Sequence, residues 1–148
     1  MAHEYNLLVA IMGMALCGHD IPAVSRDRVG EDRELEPLAL ARRLVDLSVD
    51  KLASDVILME IGELSVIADY FVICTGETAR QLDAIRYEIQ KQLKAEGELP
   101  VGTEGTAASG WVLVDYGSVV VHIFAPSQRE RYRLERLWSD AKVILRVA

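Results

Sequence analysis

Two short apolar runs, WVLV and VVVHIF, flank the turn sequence DYGS between residues 111 and 124. Short β-rich runs on either side of a glycine-containing turn predict a β-hairpin. With Tyr116 and Gly117 as the two loop residues, Trp111 would pair with His122 across the strands.

This hairpin has two chemically different faces, because side chains alternate between the faces of a strand. One face is wholly aliphatic and is predicted to be core. The other carries Trp111, Leu113, Asp115, Ser118, Val120, His122 and Phe124. An unpaired charge is costly to bury, so we expect this mixed face to be at least partly free to meet a partner. The assignment depends on the register, because a slip of one residue would exchange the faces.

The first half of the domain shows one helical and two strand patterns. Apolar residues recur at helical spacing from Leu40 to Leu52 and predict a helix over about residues 37–53. Continuous apolar runs at 56–61 and 70–75 predict two strands. The second run is apolar on both alternating faces, which is typical of a central strand.

A second helix is predicted from Thr78 to about Gly97, because Thr78 and Gln81 have the spacing of a capping box and a glycine commonly ends a helix. Residues 99–103 form a weak strand at best. Beyond the hairpin, Ser127 and Glu130 predict another capping box and a closing helix.

The order helix, strand, strand, helix, weak strand, hairpin, helix predicts an α/β fold, a mixed sheet of about five strands with helices packed against it. The long connection through the second helix indicates a crossover, and therefore some parallel pairing. Residues 142–147 predict a short final strand or a frayed tail.

Length and charge define the class of protein. The 148 residues make about one domain, with 51% hydrophobic and 26% charged residues and a net charge of −7.

Residues 1–36 are expected to be a poorly ordered extension before a domain at 37–148. Their apolar run at 5–17 is too short to span a bilayer, although it could dock on the domain as a peripheral helix or reflect an upstream start. An acidic chain favours a basic protein partner over nucleic acid.

Candidate catalytic and metal sites are weak. Cys17 and Cys74 form no disulfide framework, so the cytosol is the expected compartment, with Cys74 as a buried thiol. Asp69 and Asp115 stand singly, whereas two-metal nucleotidyl transfer needs paired carboxylates. His122 is expected to contact Trp111 rather than act as a general base, because Asp115 lies at another level of the hairpin.

Other motifs have equally ordinary explanations. The turn formed by Gly76, Glu77 and Thr78 could hold a phosphate, but helix capping alone explains Thr78. The four arginines of the last helix are interleaved with Glu130 and Glu135, which predicts a solvated helix face and little direct nucleic-acid binding. They are Arg129, Arg131, Arg133 and Arg136.

Several motifs together carry a family resemblance over roughly residues 38–143. The strings WVLVDYG, VVVHIF and RERYRLERLW, preceded by DYFVICTGETARQ and EG, resemble the ribosomal silencing factor (Iojap) family. The resemblance implies a fold similar to that of nucleotidyltransferases. It also implies a cytoplasmic factor that binds the fourteenth protein of the large ribosomal subunit, on the intersubunit face. Such binding would block joining of the small subunit and repress translation when nutrients are scarce.

The same resemblance implies the contact residues and the assembly state. By motif correspondence the partner surface would lie near Trp111, Asp115, His122, Tyr132, Glu135 and Trp138. Exposure of Trp111 and Phe124 would favour a homodimer when the ribosome is absent. No enzymatic activity, cofactor, metal or membrane contact is expected. The alternative is a nucleotidyltransferase-like or nucleotide-binding enzyme.

Overall fold

The computed structural model describes residues 35–148, so the prediction for the N-terminal extension lies almost entirely outside the described residues. The helices are α1 (Pro37–Asp50), α2 (Ala79–Ala95), α3 (Pro126–Tyr132) and α4 (Leu134–Leu137). The strands are β1 (Ser54–Glu60), β2 (Tyr70–Thr75), β3 (Gly102–Thr106), β4 (Trp111–Asp115), β5 (Val119–Phe124) and β6 (Lys142–Val147). No helix in this described part is long and apolar enough to cross a membrane.

All of these strands join one mixed sheet in the order β3-β4-β5-β2-β1-β6. The pair β2–β5 at its centre is parallel, and the other neighbours are antiparallel. The predicted α/β class, the central position of β2 and the parallel pairing are confirmed. Two details differ: β3 lies at 102–106 rather than 99–103, and β6 is a sixth, edge strand paired with β1.

Helices cover both faces of the sheet. On one face α1 and α2 pack Leu44 and Ile85 against the aliphatic side of the hairpin, which includes Val121. On the other face α4 and the residue after it pack Leu134 and Trp138 against the mixed side of the hairpin. The prediction that the aliphatic face is core is confirmed, but the mixed face is a second core.

The hairpin pairing differs from the expected register by two residues. Trp111 pairs with Phe124, and Leu113 pairs with His122. The loop is formed by Gly117 and Ser118, where Gly117 has a φ of 88°, a value that glycine adopts at no steric cost. Because a shift of two residues preserves the side-chain alternation, the two faces keep their predicted members although the pairing was wrong.

Helix ends test the predicted caps. The Thr78 cap is confirmed, since its Oγ1 accepts a hydrogen bond from the Gln81 backbone N–H at 3.1 Å. The Ser127 cap is wrong: α3 begins at Pro126, and no side chain caps it. Leu52 is also not part of the α1 stripe, because α1 ends at Asp50 and Leu52 is 81% exposed.

The predicted closing helix is two short helices. Arg133 separates them with a φ of 46°, a left-handed conformation in which a helix cannot continue. The break redirects α4, so that Leu134 and Trp138 lie over the mixed face of the hairpin.

Candidate partner-binding site

Four of the six residues implied by the family resemblance meet in one aromatic cluster. The Trp111 ring centroid lies 4.6 Å from that of Tyr132 and 5.9 Å from that of His122. Trp138 joins the same cluster through Phe71, with centroids 5.6 Å apart. The α3–α4 break therefore brings residues of two helical segments together with residues of the hairpin.

His122 is fully buried in this cluster. Its Nδ1 accepts a hydrogen bond from Trp111 Nε1 at 3.2 Å, and its ring stands edge-on to Phe71, with centroids 4.6 Å apart. Burial lowers the pKa of His122 to about 3, so the imidazole is neutral at physiological pH. The predicted contact with Trp111 is confirmed, although the two residues are diagonal rather than directly paired.

Acidification is expected to destabilise the domain through His122. The unfolded chain takes up a proton near pH 6.5 and the folded chain only near pH 3, so stability falls as pH decreases through this window. Such a pKa difference corresponds to about 2 kcal/mol lost between pH 7 and pH 5. Thermal melts across this range should show the loss, and His122→Gln, which keeps an acceptor for Trp111, should reduce it. Equal pH dependence in both proteins would contradict this assignment.

Asp115 lies away from the cluster. It pairs with Val120 in the hairpin, and its Oδ1 accepts a hydrogen bond from the Gly117 backbone N–H at 2.7 Å. The expectation that Asp115 and His122 occupy different levels of the hairpin is confirmed. Asp115 is thus placed to hold the turn.

The expected free face is wrong. His122 is 0% exposed, Trp138 4%, Trp111 6% and Asp115 9%, because α4 and Trp138 cover this side of the sheet. Phe124 is also 0% exposed, so the expected basis for self-association is absent, and the dimer stays a prediction. Of the six residues, Tyr132 and Glu135 are half-buried and reach the surface, and the role of the set in partner binding stays a prediction.

Tyr132 is the aromatic residue of the set that a partner can reach. Its ring packs against Trp111 with centroids 4.6 Å apart, and the Arg131 guanidinium lies 5.7 Å from the same ring centroid. A ring held by its neighbours loses little rotamer freedom on binding, which suits it to anchor an interface.

Arg129 contradicts the prediction of a solvated helix face. It is buried, and its Nη1 donates to the Asp55 carbonyl oxygen at 2.5 Å and to Thr75 Oγ1 at 2.8 Å. Its Nε donates to Glu135 Oε1 at 3.3 Å. Arg129 therefore ties α3 and α4 to the ends of β1 and β2, whereas Arg131, Arg133 and Arg136 are exposed as predicted.

Arg129, Arg133 and Arg136 border an open groove of about 900 Å³, which we call the arginine groove. Arg129 lies at its floor, and Arg133, Arg136 and Arg146 line it. The other lining residues are Ser54, Asp55, Thr75, Pro126, Glu130, Glu135, Ser139 and Val143.

An acidic cleft of about 410 Å³ lies at the other end of the same strands. Its carboxylates belong to Glu36, Glu60, Glu63 and Asp69. Burial, together with the charges of Glu60 and Asp69, raises the pKa of the Tyr70 hydroxyl in this cleft. Ser54 and Thr75 of the groove pair at one end of β1 and β2, and Glu60 and Tyr70 of the cleft pair at the other end, about 20 Å away.

Comparison with known proteins places this arrangement in a family. Residues 34–147 match the family model described as "Ribosomal silencing factor during starvation". A ribosomal silencing factor of Halalkalibacterium halodurans is 40% identical over 109 residues, which is 74% of this chain and 91% of that protein. The corresponding Bacillus subtilis protein is 44% identical over 92 residues, which is 62% of this chain and 78% of that protein.

Solved structures agree with the sequence comparison. A crystal structure of a Chromobacterium violaceum protein, 32% identical, superposes with a TM-score of 0.68 over 71% of this chain and 88% of that one. A Bacillus halodurans structure, 36% identical, has a TM-score of 0.58 and covers 75% of this chain and 95% of that one. The expected likeness to nucleotidyltransferases stays a prediction. The chain belongs to the ribosomal silencing factor family.

Proposed function

We propose that this silencing factor binds the large ribosomal subunit at its fourteenth protein, on the intersubunit face. It thereby prevents the small subunit from joining and represses translation during nutrient limitation. The observation that carries the proposal is the family match over residues 34–147. A mouse relative named "Mitochondrial assembly of ribosomal large subunit protein 1" is 36% identical over 99 residues and supports the large subunit as partner. This chain spans 43% of that relative.

The charge and the surface of the domain fit such a partner. A net charge of −7 favours association with a basic protein. The contact would be anchored on Tyr132, with Glu135 beside it in α4. Glu135 Oε1 accepts a hydrogen bond from Arg129 Nε at 3.3 Å, which holds this half-buried carboxylate in place.

Tyr132→Ala is expected to weaken binding to large subunits by about thirtyfold, because an anchoring aromatic side chain typically contributes about 2 kcal/mol or more. The measurement is co-sedimentation of the protein with purified large subunits. The same fractions are then mixed with small subunits, and joining is followed by light scattering. Wild type should block joining, and the variant should block it only at correspondingly higher concentration.

The chain offers a matched control for this experiment. Tyr87 lies on α2, on the other side of the sheet, and is 63% exposed. Tyr87→Ala should bind and block as wild type does. Equal losses in both variants would remove Tyr132 as the anchor, and failure of the wild type to sediment with large subunits would refute the proposed function.

The rival proposal is a nucleotide-binding enzyme. Within residues 35–148 no group of three or more His, Cys, Asp or Glu side chains is placed to hold a metal ion. The family match favours a regulatory protein. We therefore propose no catalytic activity for this chain.

A further inference from the structure

The arginine groove has unpaired positive charge. Each of its carboxylates is engaged by an arginine of the groove: Asp55 and Glu135 by Arg129, and Glu130 by Arg133. Arg136 and Arg146 form no ion pair among the described residues. A protein with a net charge of −7 thus lines one groove with two arginines that form no ion pair and two that do.

The floor of the groove is preorganised. The Arg129 side chain is 8% exposed, and its Nη2 forms an ion pair with Asp55 Oδ2 at 3.4 Å but makes no hydrogen bond. Its other donors are already held by Asp55, Thr75 and Glu135. Arg129 is therefore a fixed, buried positive charge beneath the groove, and the arginines that an anion can reach directly are the exposed Arg136 and Arg146.

Backbone strain is concentrated at the same place. Three non-glycine residues in the described part have positive φ, and two of them, Asp55 at 48° and Arg133 at 46°, line the groove. Each such residue costs on the order of 1–3 kcal/mol and persists where surrounding contacts hold it, commonly at ligand sites. At Asp55 this conformation coincides with a bulge in β1 that aims its carbonyl oxygen at Arg129.

The side chains that line the arginine groove indicate which class of ligand it binds. Its donors are guanidinium groups and the hydroxyls of Ser54, Thr75 and Ser139, which are the side chains that contact phosphate and sugar in nucleic-acid complexes. None of the described lining residues is aromatic, so a base has no surface on which to stack. Pro126 and Val143 are its only apolar members, too few to anchor a peptide.

We propose that the arginine groove binds the sugar–phosphate backbone of an RNA strand. The proposal departs from the sequence-based expectation of little direct nucleic-acid binding, which rested on a solvated helix face with interleaved glutamates, whereas Arg129 is buried. The inference does not depend on the proposed protein contact, because RNA alone is sufficient to test it. On a ribosome the groove would add a contact to ribosomal RNA beside the contact to a ribosomal protein.

The test is fluorescence anisotropy of a labelled oligouridine titrated with the full chain at increasing KCl. We expect the logarithm of the affinity to fall with the logarithm of the salt concentration with a slope of about −1.4, which corresponds to two phosphate contacts on a single strand. The double variant Arg136→Gln with Arg146→Gln should lose about tenfold or more in affinity and most of the salt dependence. Thermal melts establish that both proteins are folded.

A matched control changes the same charge elsewhere. Arg42 and Arg80 are exposed and lie on α1 and α2, on the other side of the sheet. Arg42→Gln with Arg80→Gln should keep the binding of wild type. Equal losses in both double variants would mean that net charge alone attracts RNA, and would overturn the proposal.

Competitors distinguish the class of ligand. ATP with Mg²⁺, inorganic phosphate and polyglutamate are each added at the same anion concentration as the RNA. None of them should displace the oligouridine. Displacement by ATP or phosphate would identify a site for small anions, and displacement by polyglutamate would identify a site for acidic peptides. If the wild-type protein does not bind the oligouridine at low salt, RNA is excluded as the ligand. Each of these results overturns the proposal without affecting the test with large subunits.

Discussion

Trp111→Ala is expected to destabilise the folded domain by about 3–5 kcal/mol, the usual range for removing a large buried aromatic side chain. Trp111 is 6% exposed and packs on Phe124 and Tyr132, with ring centroids 4.8 and 4.6 Å away. Its loss also leaves His122 without the 3.2 Å hydrogen bond to its Nδ1. Because small domains are stable by only about 5–15 kcal/mol in total, this change removes a large share.

Urea unfolding followed by circular dichroism measures the effect. Trp111→Phe is the control, because it keeps a ring against Tyr132 and loses only the indole N–H and some volume, so its destabilisation should be clearly smaller. A Trp111→Ala protein that unfolds like wild type yet fails to bind large subunits would contradict the burial. Trp111 would then be a contact residue, as the sequence alone suggested.

Val121→Asp is expected to abolish folding. Val121 is 0% exposed, pairs with Val114 on one side and Val72 on the other, and faces the core beneath α1 and α2. A carboxylate there has no partner, and the cost of several kcal/mol for burying an unpaired polar or charged group approaches the whole stability of the domain.

Far-UV circular dichroism and soluble expression test this result. The matched control is Val143→Asp, which makes the same change on the edge strand β6, where the valine is 48% exposed. This variant should fold. A cooperative melt for Val121→Asp close to that of wild type would mean that β5 has slipped by one residue and turned this side chain to solvent.

The strands and the two faces of the hairpin were predictable because their signals are local. Side chains alternate along residues 111–124, and this alternation assigns each residue to one face. A shift of the strand register by two residues leaves these assignments unchanged. The register was not decided by the sequence. Glycine takes the second loop position in many type I′ turns and the first in type II′ turns, and the structure has the second arrangement, with Gly117 and Ser118 as the loop.

What covers the hairpin could not be read from the same pattern. The mixed face is buried because Arg133 takes a left-handed conformation and redirects α4, and nothing in the spacing of charged residues predicts such a break. Arg129 was assigned to solvent because its nearest acidic neighbours in the chain are Glu130 and Glu135. Two of its strongest contacts lie 54 and 74 residues away, at Thr75 and Asp55.

The arginines beside Ser54 and Thr75 and the carboxylates beside Glu60 and Tyr70 form a local electric dipole along β1 and β2. Opposite charges about 20 Å apart experience a torque in the field of a charged surface, and this torque acts once the protein is within about one Debye length, ~8 Å at physiological salt. Near a polyanion such as an RNA strand, this torque favours the orientation in which the groove faces the polyanion and the cleft with Glu60 and Asp69 faces away from it. For the proposed RNA contact, such steering raises the fraction of productive collisions, and added salt weakens it.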